Sequence, residues 1–249
     1  MGEVNQIIEV RDVSKLYGKK ISLDRLSLSV KRGQVYGLLG ANGSGKSTLL
    51  KLLATVMEPS RGDITIAGYD IKKQTKPIRE LIGYVPQELS IWEEATVLEN
   101  AQYWSAFSNK KLTKSALINH LERIGLGDRA HDKVKTLSGG MKRKLNIVIA
   151  LLHDPEILLM DEPTVGIDFQ SRFEINQLIK QLAQDGKTIL YTTHDVVEVL
   201  FLCDEIGVLK AGQLYFSGTL QKAREKAGTA ASTLTDEEVL YRLVNGELF

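Results

Sequence analysis

The sequence has little of what marks secreted, disulfide-bonded or nucleic-acid-binding proteins. It contains one cysteine, Cys203, so no disulfide forms within the chain, and this usage is typical of a reducing compartment. Its 32 lysine and arginine residues face 31 aspartate and glutamate residues, which leaves a formal net charge of +1. This balance gives no electrostatic reason to expect a nucleic-acid partner, although the basic run at residues 142–144 is either a contact point or a solvated helix face.

Long apolar runs are also absent. The most apolar stretches, residues 147–152 and 157–160, are far shorter than the roughly 18 residues that indicate a membrane-spanning helix. Residues 1–6 have neither the basic start nor the apolar core of a secretory signal. Cysteine and histidine form no metal-binding pattern. We therefore expect a cytoplasmic chain that reaches a membrane only through a partner.

A glycine-rich loop is the strongest signal in the chain. Residues 40–47, GANGSGKS, fit the phosphate-binding pattern G-x-x-x-x-G-K-[ST] at every position, between an apolar run at 35–39 and a predicted helix at 48–54. Backbone N–H groups of such a loop surround a phosphate, the lysine contacts the β- and γ-phosphates, and the final hydroxyl ligates Mg²⁺. The pattern predicts a nucleotide site built from Gly40, Ala41, Asn42, Gly43, Ser44, Gly45, Lys46 and Ser47.

Two carboxylates, Asp161 and Glu162, end a predicted apolar strand that begins at Ile157. Because successive side chains of a strand point to opposite faces, we expect the two carboxylates to do different jobs. One would hold Mg²⁺ through a water, and the other would deprotonate a water that attacks the γ-phosphoryl group. His194 ends the next apolar strand, at residues 188–193, and from there an imidazole can reach a γ-phosphate.

Two further signals leave alternatives open. Ser138, Gly139 and Gly140 precede a helix predicted over residues 142–152, where they form either a second anion site or an ordinary cap. A chain with two anion sites uses them on one phosphate group, on two, or together with a partner chain. Tyr17, beside Gly18, either stacks on a purine base or fills an apolar gap.

The order of the elements predicts an α/β fold with two additions. Residues 7–13 and 26–30 alternate as antiparallel strands do, and residues 88–144 have a helical pattern that predicts an inserted lobe. A hairpin follows at 206–209 and 213–216, and Thr235 with Glu238 predicts a capping box for a helix over 236–245. We predict one domain over residues 1–226, followed over residues 227–249 by a short linker at residues 228–232 and the C-terminal helix.

The ordered set of residues 40–47, Gln87, residues 137–140, Asp161, Glu162 and His194 resembles the ATP-binding subunit of ABC transporters, over about residues 7–218. The resemblance implies a P-loop NTPase core with an N-terminal antiparallel β subdomain and an inserted helical subdomain. It also implies that Tyr17 stacks on adenine and that Thr48 supplements phosphate binding. Gln87 would sense Mg²⁺ and the attacking water, Asp161 would associate with Mg²⁺, Glu162 would be the catalytic base and His194 the switch histidine.

The same resemblance implies the partners. Two chains would pack head to tail, so that residues 138–140 of one complete the ATP site of the other and residues 165–168 connect the two subunits. Hydrolysis would drive a separate integral membrane transport subunit from the inner face of the cell membrane. Trp92 and Trp104 lie near the region that receives this partner in the family, so they are either contacts with it or core residues of the helical lobe, and we favour the core.

One departure from the usual family pattern points to a particular branch of the family. Met141 stands where glutamine is usual, and with residues 164–168 it looks like the branch that serves bacterial drug, antibiotic or polysaccharide exporters. The alternative is an ABC-type ATPase that acts on ribosomes or nucleic acid. Such relatives usually carry two ATP domains or a long coiled coil, whereas this sequence shows one ATP domain and no heptad run, which argues against the alternative. A binding module without hydrolysis is the third hypothesis, and the intact Lys46, Asp161, Glu162 and His194 count against it.

Overall fold

The computed structural model describes residues 6–108, 110–228 and 232–247. The strands are β1 Gln6–Tyr17, β2 Lys20–Lys31, β3 Val35–Leu39, β4 Arg61–Ile66, β5 Tyr69–Asp70, β6 Ile82–Val85, β7 Ile157–Asp161, β8 Thr188–Thr193, β9 Glu205–Lys210 and β10 Gln213–Gly218. The α-helices are α1 Lys46–Leu53, α2 Thr75–Leu81, α3 Val97–Ser105, α4 Lys114–Glu122, α5 Gly139–Leu151, α6 Phe169–Gln184, α7 Val196–Leu202, α8 Leu220–Ala227 and α9 Asp236–Asn245.

Two sheets enclose helix α1. An antiparallel sheet has the order β2-β1-β4-β5, and a second sheet has the order β10-β9-β3-β8-β7-β6, in which every neighbouring pair is parallel except β9 and β10. Leu50 and Leu53 of α1 share one buried cluster with Ile8 of the first sheet and Leu38 of the second. Because β3, β8 and β7 are parallel neighbours, the loops that follow them meet at one edge of the sheet, where such folds bind ligands.

The predicted inserted lobe lies between β6 and β7. Helices α3 and α4 pack with part of α5 in a cluster that includes Leu98, Leu121 and Leu145. The capping box of Thr96 and Glu99 is present at the start of α3. The lobe therefore has its own apolar core, and α5 joins that core to the central sheet, because Ile147 packs in the cluster beneath β7 and β8.

The C-terminal helix forms as predicted. Thr235 and Glu238 make the capping box of α9, and Gly246 ends the helix in the left-handed conformation. Val239 and Leu243 pack into the cluster formed with α7, β9 and β10. Residues 229–231 of the predicted linker lie outside the described residues, and the domain boundary near residue 226 stays a prediction.

Two expectations are wrong. The helix predicted over 142–152 begins at Gly139, because Ser138 is its N-cap and accepts a hydrogen bond from the Met141 amide at 3.2 Å. Trp92 and Trp104 are not core residues: 52% of Trp92 and 36% of Trp104 are exposed. Both lie in a ring cluster with Tyr103 and Phe107 on the surface of the lobe. In the part of the chain that is described, no helix has the length and apolarity needed to cross a bilayer.

Close packing at the centre of β3 leads to a stability prediction. A Cβ atom at Gly37 would lie 2.5 Å from the Sγ atom of Cys203, whose burial raises the pKa of its thiol. We expect Gly37→Ala to lower the free energy of unfolding by about 1–3 kcal/mol, as overpacked cores do. Cys203→Ala should restore part of that loss, with a coupling energy of about 1 kcal/mol in urea unfolding.

A matched control separates this effect from the loss of a glycine as such. At Gly139 an added Cβ would meet nothing within 4 Å, so Gly139→Ala should leave the unfolding midpoint unchanged. Equal destabilisation by the two substitutions, or strict additivity of Gly37→Ala with Cys203→Ala, would contradict the packing argument.

Candidate active site

The glycine-rich loop joins β3 to α1 at the edge of the central sheet. Gly45, the N-cap of α1, has φ +112°, and a Cβ there would lie 2.8 Å from the Ser22 carbonyl oxygen. Gly43 has φ +80°, which also favours glycine. The loop thus needs glycine for its backbone path, and the amides at the start of α1 are left facing the position of an anion.

Lys46 lies in the first turn of α1 and is buried. Its Nζ atom donates a 2.7 Å hydrogen bond to the Gly40 carbonyl and lies 3.3 Å from the Glu162 carboxylate. The ammonium is therefore held across the mouth of the loop by acceptors of the protein, within reach of a bound phosphate. Ser44 Oγ is buried in the same loop without a hydrogen-bond partner, which fits a site completed by a polar ligand.

Ser47 and Asp161 form a pair of oxygen donors next to the loop. Ser47 Oγ donates to Asp161 Oδ1 at 3.1 Å, and Thr192 Oγ1 donates to the same oxygen at 2.9 Å. The pairing of β7 with β8 sets Asp161 opposite Thr192. Hydroxyl and carboxylate oxygens are ligands that Mg²⁺ accepts. No group of three or more His, Cys, Asp or Glu side chains with metal-ligand spacing occurs within residues 6–108, 110–228 and 232–247, so an ion here would also need ligand or water oxygens.

Glu162 does not follow the strand alternation that the sequence predicts. Strand β7 ends at Asp161, and Glu162 has φ +46°, a left-handed conformation that is uncommon for a residue with a side chain. Hydrogen bonds from its amide to the Oγ1 and carbonyl oxygens of Thr192 hold it there. Its carboxylate lies 3.3 Å from Lys46 Nζ and 3.4 Å from His194 Nδ1. The left-handed backbone of Glu162, rather than the strand pleat, therefore separates the directions of the two carboxylates, and their different roles stay a prediction.

His194 sits at the end of β8, between Glu162 and the start of α7. Its imidazole is half exposed, whereas the residue that follows, Asp195, caps α7 by accepting from the Val197 amide at 2.9 Å. Arg172 of α6 donates to Asp195 at 2.9 Å. The histidine loop is thus fixed by its neighbours, and its own side chain remains available to a ligand.

An open cavity of about 540 Å³ collects most of the predicted site residues. This volume lies in the range of small-molecule sites. The lining includes Tyr17, Asn42, Gly43, Gly45, Lys46, Ser47, Thr48, Gln87 and Glu162, together with Lys20, Ile21 and Ser22. Tyr17 lines the cavity and is half exposed, and its hydroxyl contacts the sulfur of Met57. His194 lines a smaller adjoining pocket with Glu162, and Asp161 lies behind Ser47.

The turn at Ser138, Gly139 and Gly140 lies elsewhere. None of these residues lines the cavity of the glycine-rich loop. Ser138 caps α5, and a Cβ on Gly140 would overlap the side chain of Ser171 in α6, so the turn packs directly on the following helix. The two candidate anion sites of one chain therefore do not share a cavity.

The basic run at residues 142–144 is paired inside the chain. Lys142 bonds to Glu93 and Lys144 to Glu174. Arg143 is buried and donates to the carbonyl oxygens of Pro86 and Gln87. The run is therefore neither a nucleic-acid contact nor a solvated face. The partners of these three residues lie between 30 and 57 positions away, so the pairing leaves no local signal in the sequence.

Comparison with known proteins agrees with this geometry. The family described as ABC transporter matches residues 23–165. The linearmycin resistance ATP-binding protein LnrL of Bacillus subtilis is 44% identical over 216 residues, which cover 86% of this chain and 69% of LnrL. The Nod factor export ATP-binding protein I of Burkholderia orbicola is 39% identical, over 85% of this chain and 70% of that protein.

A solved structure extends the comparison to the fold. A dimeric ATP-binding cassette in a post-hydrolysis state, bound to ADP and Pi, superposes with a TM-score of 0.78 at 28% identity, over 85% of this chain and 98% of its own. A glycine-rich loop between strand and helix, with carboxylates at the end of another parallel strand of the same sheet, defines a P-loop nucleoside triphosphatase. The chain belongs to the ABC transporter family, and it is an ATP-binding, ATP-hydrolysing subunit of that family.

Proposed function

We propose that two copies of this chain, or this chain and a similar one, pair head to tail around two Mg-ATP and drive export through a separate transmembrane subunit. One observation carries the pairing. The Ser138–Gly140 turn is a helix N-terminus with open space at Gly139, yet it lines no part of its own chain's cavity. Such a turn is suited to a phosphate that another chain presents.

In this proposal the chain's own residues divide the work. Tyr17 stacks on adenine, and the amides of residues 40–47 together with Lys46 and Thr48 hold the phosphates. Glu162 accepts a proton from the attacking water, and His194 contacts the γ-phosphoryl group. The 3.4 Å separation of His194 Nδ1 from Glu162 supports this assignment, because both groups must act on the same few atoms.

Ser47, Gln87 and Asp161 would hold Mg²⁺ in the proposed site. The oxygen pair of Ser47 and Asp161, and the position of Gln87 on the cavity wall, support that ligand set. When bound, the ion neutralises charge on the phosphates and on the oxygens between which the phosphoryl group moves.

The membrane partner has a candidate docking site on the lobe. A groove of about 920 Å³ runs between α2, α5 and the end of α3, and its lining includes Arg79, Tyr84, Trp104, Phe107 and Ile149. Exposed aromatic side chains around a concave surface are typical of protein interfaces. We propose that a segment of the transmembrane subunit sits there, which places the chain on the inner face of the cell membrane. The name of the Nod factor export protein supports export, and LnrL is named for linearmycin resistance.

The test is affinity capture from detergent-solubilised source cells with the Glu162→Gln chain and Mg-ATP. Blocked hydrolysis should hold the closed pair, so a multi-spanning membrane protein should co-purify. The matched control carries Trp104→Ala and Phe107→Ala as well, and it should lose that protein while still binding ATP. Recovery of ribosomes, nucleic acid or only soluble protein from well-extracted membranes would overturn the transporter proposal. It would favour the alternative, an ABC-type ATPase that acts on ribosomes or nucleic acid.

A further inference from the structure

Arg143 is one of the buried charged residues in the described part of the chain. Only 6% of its surface is exposed, and no carboxylate in the described ranges lies within ion-pair distance of its guanidinium. Its Nη1 atom donates to the carbonyl oxygens of Pro86 at 3.1 Å and Gln87 at 2.9 Å, and its Nε atom is buried without a partner. A buried cation with only neutral hydrogen-bond acceptors is costly: burial lowers the pKa of the Arg143 guanidinium, and the charge of Asp161, beyond ion-pair distance, opposes that shift.

A second side chain of α5 holds the same loop. Asn146, three residues after Arg143 and so on the same face of the helix, accepts a hydrogen bond from the Ser90 amide at 3.1 Å. Arg143 therefore fixes the start of the loop at residues 86–90, and Asn146 fixes its end. Lys142 and Lys144, on either side of Arg143, contact Glu93 and Glu174 instead of this loop.

We propose that Arg143 is a positioning residue that fastens the Gln87 loop to α5, so that Gln87 moves with the Ser138–Gly140 turn. The turn and Arg143 belong to one continuous helix, because α5 begins at Gly139 and Arg143 lies in its second turn. Gln87, fastened through its carbonyl oxygen, faces the cavity that also holds Lys46 and Glu162. Movement of the turn thereby reaches the chain's own nucleotide site.

The consequence rests on the proposed function, in which the Ser138–Gly140 turn binds a nucleotide held by the partner. Seating of that nucleotide then changes the position of Gln87 in the opposite site. Each nucleotide site of the pair would thus respond to occupation of the other through the Arg143 guanidinium, although no single residue contacts both nucleotides. Positive cooperativity between the two sites is the expected result.

The test is amide hydrogen exchange of the purified chain without nucleotide, followed at the Ser90 amide through overlapping peptides. Arg143→Met keeps the apolar stem and removes both hydrogen bonds, so Ser90 should exchange at least about tenfold faster, as the loss of a charged hydrogen bond implies. Asn146→Leu, which removes the acceptor of that amide, gives the upper limit. Lys144→Met is the matched control on the same helix, and Ser90 exchange should stay within about twofold of the wild type.

Hydrolysis gives the second readout. Arg143→Met should lower kcat about tenfold and lower the Hill coefficient for hydrolysis as a function of ATP concentration. The affinity of the chain for ATP should stay unchanged, because the substitution loosens the Gln87 loop and not the phosphate site. Arg143→Lys keeps the charge but lacks the planar fork, so both its exchange rate and its kcat should fall between those of the wild type and of Arg143→Met. If Arg143→Met does not fold, Arg143→Lys carries the same comparison.

Two results would overturn the proposal. One is Ser90 exchange that stays at the wild-type rate in the Arg143 variants while Asn146→Leu accelerates it. The other is acceleration spread equally over the amides of α3, which would make Arg143 a general element of the fold. Because the exchange is measured without nucleotide, its result does not depend on the proposed function. Full ATPase activity in Glu162→Gln would overturn the proposed catalytic roles but would not change the interpretation of Ser90 exchange.

Discussion

Glu162→Gln should lower kcat for ATP hydrolysis at least about a hundredfold, as the removal of a general base does. The amide keeps the size and shape of the carboxylate but cannot accept a proton from water. ATP should still bind, because the substitution leaves unchanged the residues that we propose hold the phosphates, 40–48. Loss of the negative charge also frees Lys46, now 3.3 Å from Glu162, to face the phosphates. The variant should therefore show a fall in kcat with unchanged or tighter nucleotide affinity.

Steady-state hydrolysis and fluorescent-nucleotide binding measure the two quantities separately. Glu205→Gln is the control: this carboxylate pairs with Lys31 at 2.9 Å, near the start of β9, and lines neither the nucleotide cavity nor the pocket of His194. Its kcat should stay within about twofold of the wild type. Unchanged hydrolysis in Glu162→Gln would remove Glu162 from the catalytic role, and an equal fall in both variants would point to a general effect of lost charge.

The parts of the site that lie in one stretch of sequence were the ones that could be predicted. The glycine-rich loop, β3 before it and α1 after it are adjacent in the chain, so pattern and apolar run together define the site. The caps of α3 and α9 are equally local, because a hydroxyl and a carboxylate three residues apart satisfy each other's amides. Ser138 is a similar local signal for α5: a serine interpreted as the N-cap predicts that the helix begins at Gly139, as it does.

Features that depend on distant pairings could not be read from the sequence. The left-handed backbone of Glu162 is held by Thr192, 30 residues further on, and its local sequence resembles an ordinary strand end. Arg143 stands between two lysines and looks solvated, but its acceptors lie more than 50 residues earlier. Trp92 and Trp104 look like core residues because large rings are usually buried, whereas here they form a surface cluster. In each case packing against another part of the chain decides the outcome.

A mixing experiment should produce the other large effect. Lys46→Met removes the buried ammonium from the proposed phosphate site, and we expect it to lower hydrolysis at least about a hundredfold, as loss of an electrostatic donor does. Gly139→Asp should do the same for a different reason. An added side chain at Gly139 meets nothing within its own chain, and a negative charge at a helix N-terminus is favourable for folding. Its carboxylate would repel only a phosphate presented by the partner.

Equal mixing of the two inactive chains should restore activity if the pair is head to tail. In a mixed pair, the chain with intact Lys46 receives the intact turn of the other, which leaves one complete site beside one that carries both changes. Random association should thus recover about one quarter of the wild-type sites. Gly139→Asn, similar in size but neutral, is the matched control and should retain far more activity than Gly139→Asp. If each site were completed within a single chain, the mixture would remain as inactive as its components, because no chain in it has both an intact lysine and an intact turn.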